Sequence, residues 1–204
     1  MDLDEHEGLT LRERKRLAAR EALSAAAIRL AMERGLENVR VEDIAAEVGV
    51  SPRTFNNYFS SKEEAIVAIS TDRIAGIVAA FRARPADEPI WDALTAALLT
   101  PYDVPADPPR EFVARSQLML RHPALQAENM RAQLAVQEAL TGEVAARLRA
   151  DPAEDIRPRL LVAVASAALH TALRHWAASP THRPFLATLR AALDQAQPSS
   201  LRRQ

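Results

Sequence analysis

The apolar and polar positions of residues 41–59 predict two short helices joined by a tight turn. In the first segment apolar residues recur at spacings of three, four and seven, at Val41, Ile44, Ala45 and Val48. This spacing is typical of one stripe of a short amphipathic helix. Gly49 supplies the turn, Ser51 suits an N-cap, and Pro52 suits the first helical position because its missing amide would have no partner there. A second short helix is therefore predicted to begin at Ser51.

This second helix, predicted within residues 51–59, has one apolar and one polar face. Val50 and Phe55 suit a hydrophobic staple, while Phe55 and Phe59 are four apart and point into one core. The opposite face carries Arg53, Thr54, Asn56 and Asn57. Such side chains can read base edges, and we expect Tyr58 to meet a phosphate. The layout matches a helix-turn-helix, and the alternative is an ordinary helical hairpin in a bundle.

The segment before this pair predicts a longer first helix with a basic beginning. Thr10 and Glu13 suit a capping box, and Gly35 ends the helix. Its core positions are Leu23, Ala27, Leu30 and Ala31. The first turns carry Arg12, Arg14, Lys15, Arg16 and Arg20. A basic arm of this kind suits a phosphate backbone.

The segment after the pair predicts a fourth helix with Ser61 as N-cap and Glu64 completing a capping box. Lys62 then places a cation near the positive end of the helix dipole, which is locally unfavourable. A nearby phosphate would explain this residue, and a solvated surface lysine is the alternative.

From Leu23 to about Lys62 the chain resembles the N-terminal domain of the TetR-type one-component regulators. The matching positions are Arg34-Gly35, Val41 to Ala45, Gly49 to Ser51, Phe55, Tyr58-Phe59 and Ser61 to Glu64. The resemblance implies a three-helix DNA-binding domain and a larger helical domain that dimerises and usually holds a small-molecule pocket. It also implies repression that a ligand relieves. The residues expected to contact DNA are Arg40, Ser51, Pro52, Arg53, Thr54, Asn56, Asn57, Tyr58 and Lys62.

Two positions depart from the family pattern. Arg40 stands where the family commonly has a threonine that caps the second helix; its side chain can reach a phosphate but cannot cap. Ala31 stands where the family usually has a large aromatic residue, and Met32 or Leu36 is expected to fill the gap.

Beyond the fourth helix, which extends to about Phe81, proline-marked breaks predict an all-α chain of about nine helices and no strand. The further predicted helices are 90–99, 110–121, one from Pro123 ended by Asp151-Pro152, one capped by Asp155, and one containing Phe185 to Leu193. The predicted domains are 10–60, which binds DNA, and 61–197, which binds an effector and dimerises. Residues 1–9 and 198–204 are predicted to be disordered tails.

The eighth predicted helix is apolar in nearly every direction, which predicts burial against both its own domain and a partner subunit. The ninth has an apolar face suited to the same contact. The residues expected at this homodimer interface are Leu161, Leu169, Leu173, Trp176, Leu189 and Leu193. Two-fold symmetry would place the recognition helices about 34–36 Å apart, which is one turn of the DNA duplex, or a multiple of this distance. It also predicts a palindromic operator in double-stranded DNA.

The fourth to eighth helices could enclose a mostly apolar effector pocket with a few polar groups. The candidate contacts are Arg115, His122, Asn129, His170 and Arg174, with Gln117 and Gln133 also near the inner faces. None of them forms a recognisable motif, and a histidine in an apolar helix is more often a hydrogen-bonded core residue. The effector would be small and largely apolar.

Composition narrows the function further. The 204 residues include 26 basic and 27 acidic ones, so the net charge is −1 and the case for DNA depends on local charge. The absence of cysteine excludes disulfides and thiolate chemistry. No catalytic motif, signal peptide or membrane-spanning segment is present, so we expect a cytoplasmic regulator without cofactor, metal or enzymatic activity. A regulator without a small-molecule effector, controlled by a protein or constitutive, is the alternative to a ligand-released repressor.

Overall fold

The computed structural model describes residues 10–103, 110–179 and 184–198, and over these ranges the chain is all-helical. Its nine α-helices in the described residues are α1 (Leu11–Arg34), α2 (Val41–Val48), α3 (Pro52–Asn56), α4 (Lys62–Arg82), α5 (Ile90–Leu99), α6 (Arg110–Arg121), α7 (Pro123–Leu148), α8 (Arg157–Ala178) and α9 (Phe185–Ala196). The predicted all-α class is confirmed. None of the helices in these ranges combines the length and the apolar character needed to cross a membrane. The predicted tails, apart from Pro198, lie outside the described residues.

The chain divides into two compact units, Met1–Ile69 and Ser70–Gln204, and the division falls inside α4. The first unit therefore extends further than the predicted boundary between residues 60 and 61. One reason is a buried hydrogen bond of 2.6 Å from the Ser24 hydroxyl on α1 to the Ala65 carbonyl oxygen on α4. This bond joins the beginning of α4 to the helices that precede it.

The first helix begins and ends where the sequence predicts. The Glu13 amide donates to the Thr10 hydroxyl oxygen at 3.3 Å, and the Thr10 amide donates to the Glu13 carboxylate at 2.8 Å. These bonds form the predicted capping box, and the hydrogen bonds from Thr10 lower the pKa of Glu13. At the other end Gly35 has φ 81, a left-handed value that favours glycine, and the helix stops there.

A small apolar core holds the first unit together. Phe55 and Phe59 are both buried, and their ring centroids lie 5.6 Å apart, as their four-residue spacing predicts. Beside the small Ala31, Leu36 is buried while Met32 is 43% exposed. Of the two residues expected to fill the space left by an aromatic residue, only Leu36 therefore contributes to this core.

The core of the second unit lies between α5, α7, α8 and α9. Trp176 is fully buried, and Phe185 packs against it edge to face with ring centroids 5.5 Å apart. Tyr102 also packs against Phe185 edge to face, with ring centroids 4.9 Å apart. Leu94 and Leu189 are also completely buried in this core. The buried rings join α8 to α9, which fixes the relative position of these two helices.

Two helix ends differ from the sequence prediction by a few residues. α7 ends at Leu148 because Arg149 takes a left-handed conformation with φ 52, so the helix stops before Asp151-Pro152. The N-cap of α8 is Ile156, not Asp155, which places Pro158 at the second helical position and not the third. Asp155 still acts at this end, because its carboxylate accepts hydrogen bonds from the amide and the guanidinium of Arg157. These bonds lower the pKa of Asp155.

Candidate nucleic-acid interface and ligand cavity

The α2–turn–α3 segment has the geometry of a helix-turn-helix. Gly49 lies in the left-handed region with φ 74 and ψ 30, where a side chain would strain the backbone, and it ends α2. Ser51 is extended, and its hydroxyl oxygen accepts the Thr54 amide at 3.1 Å, with Pro52 at the first helical position. The predicted capping of α3 is therefore confirmed. Three residues separate the two helices, as the motif requires.

Helix α3 is shorter than the sequence predicts, since it ends at Asn56. The chain then turns back, with the amides of Tyr58 and Phe59 both donating to the Phe55 carbonyl oxygen. This turn lets Phe59 enter the core although it lies outside the helix. Residues 51–59, which we call the recognition segment, are a single helical turn followed by a hydrogen-bonded turn.

The outer face of α3 exposes polar side chains. Arg53, Asn56 and Asn57 are exposed, as are Ser51 and Pro52 at the beginning of the helix. Thr54 is half-buried, and its hydroxyl lies 2.9 Å from the Ser51 hydroxyl oxygen, so it supports the cap. Tyr58 is half-buried as well. Three of the predicted base-reading side chains thus reach solvent together from one small surface.

The basic residues of α1 have two different environments. Arg12, Arg14, Lys15 and Arg16 are exposed in the first turns of the helix. Arg20 is half-buried, and its guanidinium carbon lies 5.2 Å from the ring centroid of Phe59. This cation–π contact stabilises the turn after α3. Arg20 therefore supports the recognition segment from inside, while the four exposed cations form the basic arm.

Arg40 is the N-cap residue of α2, and its exposed side chain leaves the capping to a neighbour. The backbone amide of Arg40 donates to the carboxylate of Asp43, the third residue of the helix, at 2.9 Å. This is the half of a capping box that the third helical residue supplies, so the N-cap amide is satisfied. The guanidinium is exposed, and its contact with a phosphate stays a prediction.

The structure revises the interpretation of Lys62. Its ammonium donates to the carbonyl oxygens of Leu36 and Val39 at 2.7 and 2.8 Å, and the side chain is half-buried. The cation therefore satisfies two backbone carbonyls ahead of α2, and this internal role explains its presence without a phosphate. No sequence pattern predicts this contact, because its partners are backbone atoms at least 23 residues away.

The beginning of α4 is capped by two serines together. The Glu64 amide donates to the Ser61 hydroxyl oxygen at 3.0 Å, as predicted. The Glu64 carboxylate, however, accepts hydrogen bonds from the amide and the hydroxyl of Ser60, each at 2.7 Å. The second hydrogen bond of the predicted capping box is therefore made with Ser60 and not with Ser61.

A cavity of about 110 Å³ in the second unit brings together part of the predicted ligand set. Asn129, His170 and Arg174 line it, from α7 and α8. Arg115 and His122, the two remaining candidates, are half-buried and do not line it. Its other walls are Ser116, Met119, Leu120, Gln126, Met130, Gln133 and Leu173. We call this space the outer cavity.

A second space of about 30 Å³, the inner cavity, lies beside it. Gln133 and His170 line both spaces, so these two side chains stand between them. The inner cavity is otherwise mostly apolar, and two of its walls, Ile74 and Ile77, belong to α4.

The polar groups around the outer cavity are incompletely satisfied. Gln133 is 8% exposed, and its Oε1 atom is buried without a hydrogen-bond partner among the described residues; the same holds for Oδ1 of Asn129. Burial of His170 and the nearby positive charge of Arg174 lower the pKa of its imidazole, against a hydrogen bond to the Ser166 backbone. His170 is therefore neutral at pH 7. Ser166 was not among the predicted site residues, because a backbone partner leaves no side-chain signal.

Most of the residues predicted at the dimer interface are buried inside the single chain. Leu161, Trp176, Leu189 and Leu193 are buried within the single chain, with Trp176 only 1% exposed. Leu169 and Leu173 are half-buried and line the inner and the outer cavity respectively. Four of the six side chains therefore belong to the core of the single chain, while Leu169 and Leu173 remain predicted interface residues that also line the cavities. Large apolar side chains at helical spacing do not by themselves distinguish a core from an interface.

The surface of α8 and α9 instead exposes small side chains. On α8 the exposed residues Ala163, Ala167 and Thr171 are spaced by four, and on α9 Ala187 and Ala191 have the same spacing. A groove of about 560 Å³ runs between the two helices, with Thr171, His175, Ala187 and Ala191 among its walls. Side chains of this size would allow another helix to approach closely.

Comparison with known proteins agrees with this architecture. Residues 23–69 match the family of bacterial regulatory proteins called the tetR family, and residues 88–200 match the MftR C-terminal domain. The chain is 34% identical to the HTH-type transcriptional regulator TcmR of Streptomyces glaucescens over 175 residues, covering 83% of this chain and 77% of that protein.

Solved structures with the same fold include two proteins called FadR, of which the first is a fatty acid degradation regulator. FadR of Bacillus halodurans aligns over 87% of this chain and 94% of its own, with a TM-score of 0.58 and 17% identity. FadR of Thermus thermophilus, a repressor solved with lauroyl-CoA, aligns over 87% and 92% with a TM-score of 0.58 and 20% identity. The capped helix-turn-helix, the helical second unit and these matches lead to one conclusion: the chain belongs to the TetR family of bacterial transcription regulators.

Proposed function

We propose that the protein is a homodimeric repressor that binds a palindromic operator and is released by a small, largely apolar ligand. The observation that carries this proposal is the exposed polar face of α3, held in place by Phe55 and Phe59 beneath it. The protein acts by binding, and the four exposed cations of α1 supply the phosphate contacts.

The face of α3 suits base reading because its side chains are not used inside the molecule. Within the described part of the chain, Arg53, Asn56 and Asn57 make no side-chain hydrogen bond or ion pair. An arginine can bind the O6 and N7 atoms of guanine, and an asparagine can bind the N6 and N7 atoms of adenine. Because the Ser51 cap and the two phenylalanines fix the backbone, only the side chains themselves lose conformational freedom on binding. Arg40 and Tyr58 flank the face and suit phosphate contacts.

Dimerisation would present two such faces to one duplex. The small residues on α8 and α9 permit two copies of this helix pair to pack closely around a two-fold axis. Such an interface is self-complementary, and two recognition segments related by the axis would read two inverted half-sites. The operator is then expected to be palindromic, with half-site centres separated by about one helical turn, 34–36 Å, or a multiple of it.

Release by a ligand would depend on the cavities of the second unit. The outer cavity has a mostly apolar lining with a few convergent polar groups, which is the usual character of a small-molecule site. The inner cavity beside it is lined by Ile74 and Ile77 of α4, and α4 is one unbroken helix that begins at Lys62. A ligand that displaces these side chains would shift a helix whose first turn binds the carbonyls ahead of α2. The helical architecture of Thermus thermophilus FadR also accommodates a ligand, lauroyl-CoA.

Binding to the DNA that flanks the protein's own gene tests this proposal. Fluorescence anisotropy at low salt should give a saturable complex, and native mass spectrometry should give two chains per duplex. Arg53→Ala should weaken binding, whereas Arg131→Ala, an exposed arginine on α7, should not. A protein that binds no flanking fragment, or an Arg131→Ala change as harmful as Arg53→Ala, would contradict the proposal. DNA binding that no metabolite relieves would instead favour a regulator without a small-molecule effector.

A further inference from the structure

Two side chains that line the outer cavity carry oxygen atoms that lack a hydrogen-bond donor. Among the described residues, Oε1 of Gln133 and Oδ1 of Asn129 are buried and without partners, and both residues line this space. They lie one helical turn apart on α7, which places them on the same face of the helix. Leaving a buried polar group unsatisfied is unfavourable, so a molecule in the cavity that carries a donor would be stabilised when these side chains turn to meet it.

His170 supplies a third acceptor. Its imidazole is neutral at pH 7, because burial and the charge of Arg174 lower its pKa. One ring nitrogen donates a hydrogen bond to the Ser166 carbonyl oxygen one turn earlier on α8. In a neutral imidazole the second nitrogen then carries a lone pair and accepts.

The remaining walls define the rest of the ligand. Met119, Leu120, Met130 and Leu173 are apolar, so most of the occupant is in contact with hydrocarbon and sulfur. Arg174 also lines the cavity, but its side chain is exposed. A carboxylate or phosphate placed beside the three acceptors would meet like partial charges, which is unfavourable. The volume of about 110 Å³ is several times what one water needs, about 10–15 Å³.

We propose that the outer cavity binds an uncharged, mostly apolar alcohol or phenol, whose hydroxyl donates to Oε1 of Gln133 or its neighbouring acceptors on Asn129 and His170. This inference rests on the proposed ligand-released repressor and specifies the ligand class. Because Gln133 and His170 also line the inner cavity, the hydroxyl engages the two side chains that stand between the ligand and Ile74 and Ile77 of α4. The same contact that selects the ligand therefore reaches the helix proposed to relay its binding.

A series of single-ring probes tests the hydroxyl requirement. The probes are phenol, its methyl ether anisole, and the benzoate anion, titrated by calorimetry into the full chain. The two adjoining cavities, of about 110 and 30 Å³, together approach the volume of about 150 Å³ that holds benzene, so a single small ring is an appropriate size. The phenol should bind at least about tenfold more tightly than the ether, the factor expected from one hydrogen bond to a buried acceptor, and the benzoate should bind more weakly still.

Variants locate the contact. Gln133→Met removes the amide with little change in volume, and it should reduce the affinity for the phenol about tenfold while leaving the affinity for the ether unchanged. Gln117→Met makes the same chemical change outside the cavity, where the amide donates to the Ala177 carbonyl oxygen, and should leave both affinities unchanged. Melting curves recorded beforehand would establish that both variants are folded.

Three results would overturn the inference: equal affinity for the phenol and the ether, phenol binding by Gln133→Met that equals wild type, or no binding of the phenol up to its solubility. Anisotropy with operator DNA, measured in parallel without probe, separates the two proposals. If wild type and Gln133→Met both bind DNA while the probe series fails, only the assigned ligand class is wrong. If neither binds DNA, the proposed function fails regardless of the probes.

Discussion

The ammonium of Lys62 lies 2.8 Å from the carbonyl oxygen of Val39, and a second hydrogen bond joins it to Leu36. One cation at the beginning of α4 thus satisfies two backbone acceptors just ahead of α2. A positive charge in the first turn of a helix is unfavourable on its own. Here two carbonyl dipoles offset that cost and connect α4 to the segment that positions the helix-turn-helix.

Replacing Lys62 by methionine should therefore lower the free energy of unfolding. The change keeps the apolar stem, removes the ammonium donor of the Val39 carbonyl oxygen and leaves the Leu36 carbonyl oxygen with only the Val39 amide, a loss of about 1–3 kcal/mol in the free energy of unfolding. Urea denaturation measures it. Lys15→Met, which removes an exposed cation, is the control and should be neutral to within about 0.5 kcal/mol. Equal stability of the two variants would show that the internal hydrogen bonds of Lys62 contribute nothing.

Removing an exposed cation of α1 should affect all DNA sequences alike. Arg16→Ala is expected to weaken binding uniformly and to reduce the slope of log K against log salt by about one, because one phosphate contact is lost. Anisotropy titrations over a salt series, with operator and with unrelated duplex, measure this. An effect restricted to the operator would show that Arg16 contacts bases.

The exposed face of α3 should instead carry sequence information. Arg53→Ala and Asn56→Ala are each expected to cost about 1–3 kcal/mol with the operator and to relax the preference at one base position. Binding to a panel of single-base operator variants checks both parts. If either change weakened every sequence equally, the side chain would be assigned to a phosphate and α3 would have to be docked differently.

The revised interface can be tested at a small exposed residue. Ala167→Glu should convert the dimer to a monomer, because it places a charge where two helices are proposed to approach closely. Sedimentation velocity measures the change, and Ala135→Glu, an equally exposed alanine on α7, should leave the dimer intact. A stable Ala167→Glu dimer would rule out this face. Leu169→Asp is a poor test, since Leu169 lines the inner cavity and its replacement would disturb the fold.

Two glutamine changes should alter stability in opposite directions. Gln133→Met removes a buried unpartnered oxygen and should raise the free energy of unfolding of the ligand-free protein by about 1 kcal/mol. Gln117→Met removes a donor from the Ala177 carbonyl oxygen and should lower it by a similar amount. Chemical denaturation of both variants gives the comparison. A loss of stability in Gln133→Met would indicate that its amide is already satisfied.

Much of the fold was predictable because its signals are local. The Thr10 capping box, the left-handed Gly49 and the Ser51-Pro52 start of α3 depend on residues within one turn of each other. The bounds of α5 and α6 follow from flanking prolines in the same way. These features determine where the helices begin and end, and hence where the polar face of α3 lies.

The parts that were wrong or missed depend on contacts distant in sequence. The partners of Lys62 are backbone atoms, which no side-chain pattern reveals. The burial of Trp176 and Leu189 in one chain follows from how α8 and α9 pack, and periodicity alone cannot separate this from burial between subunits. The orphaned oxygen of Gln133 likewise becomes visible only when the neighbouring helices are in place.

Selection from a pool of random-sequence duplexes at low salt tests the central claim most directly, namely that the α3 faces of two subunits read DNA. Wild type should enrich a palindrome of two inverted half-sites, and Arg53→Ala should enrich the same palindrome with one position in each half-site relaxed. Enrichment of no motif, of an asymmetric one, or of a motif that Arg53→Ala leaves unchanged would contradict the account.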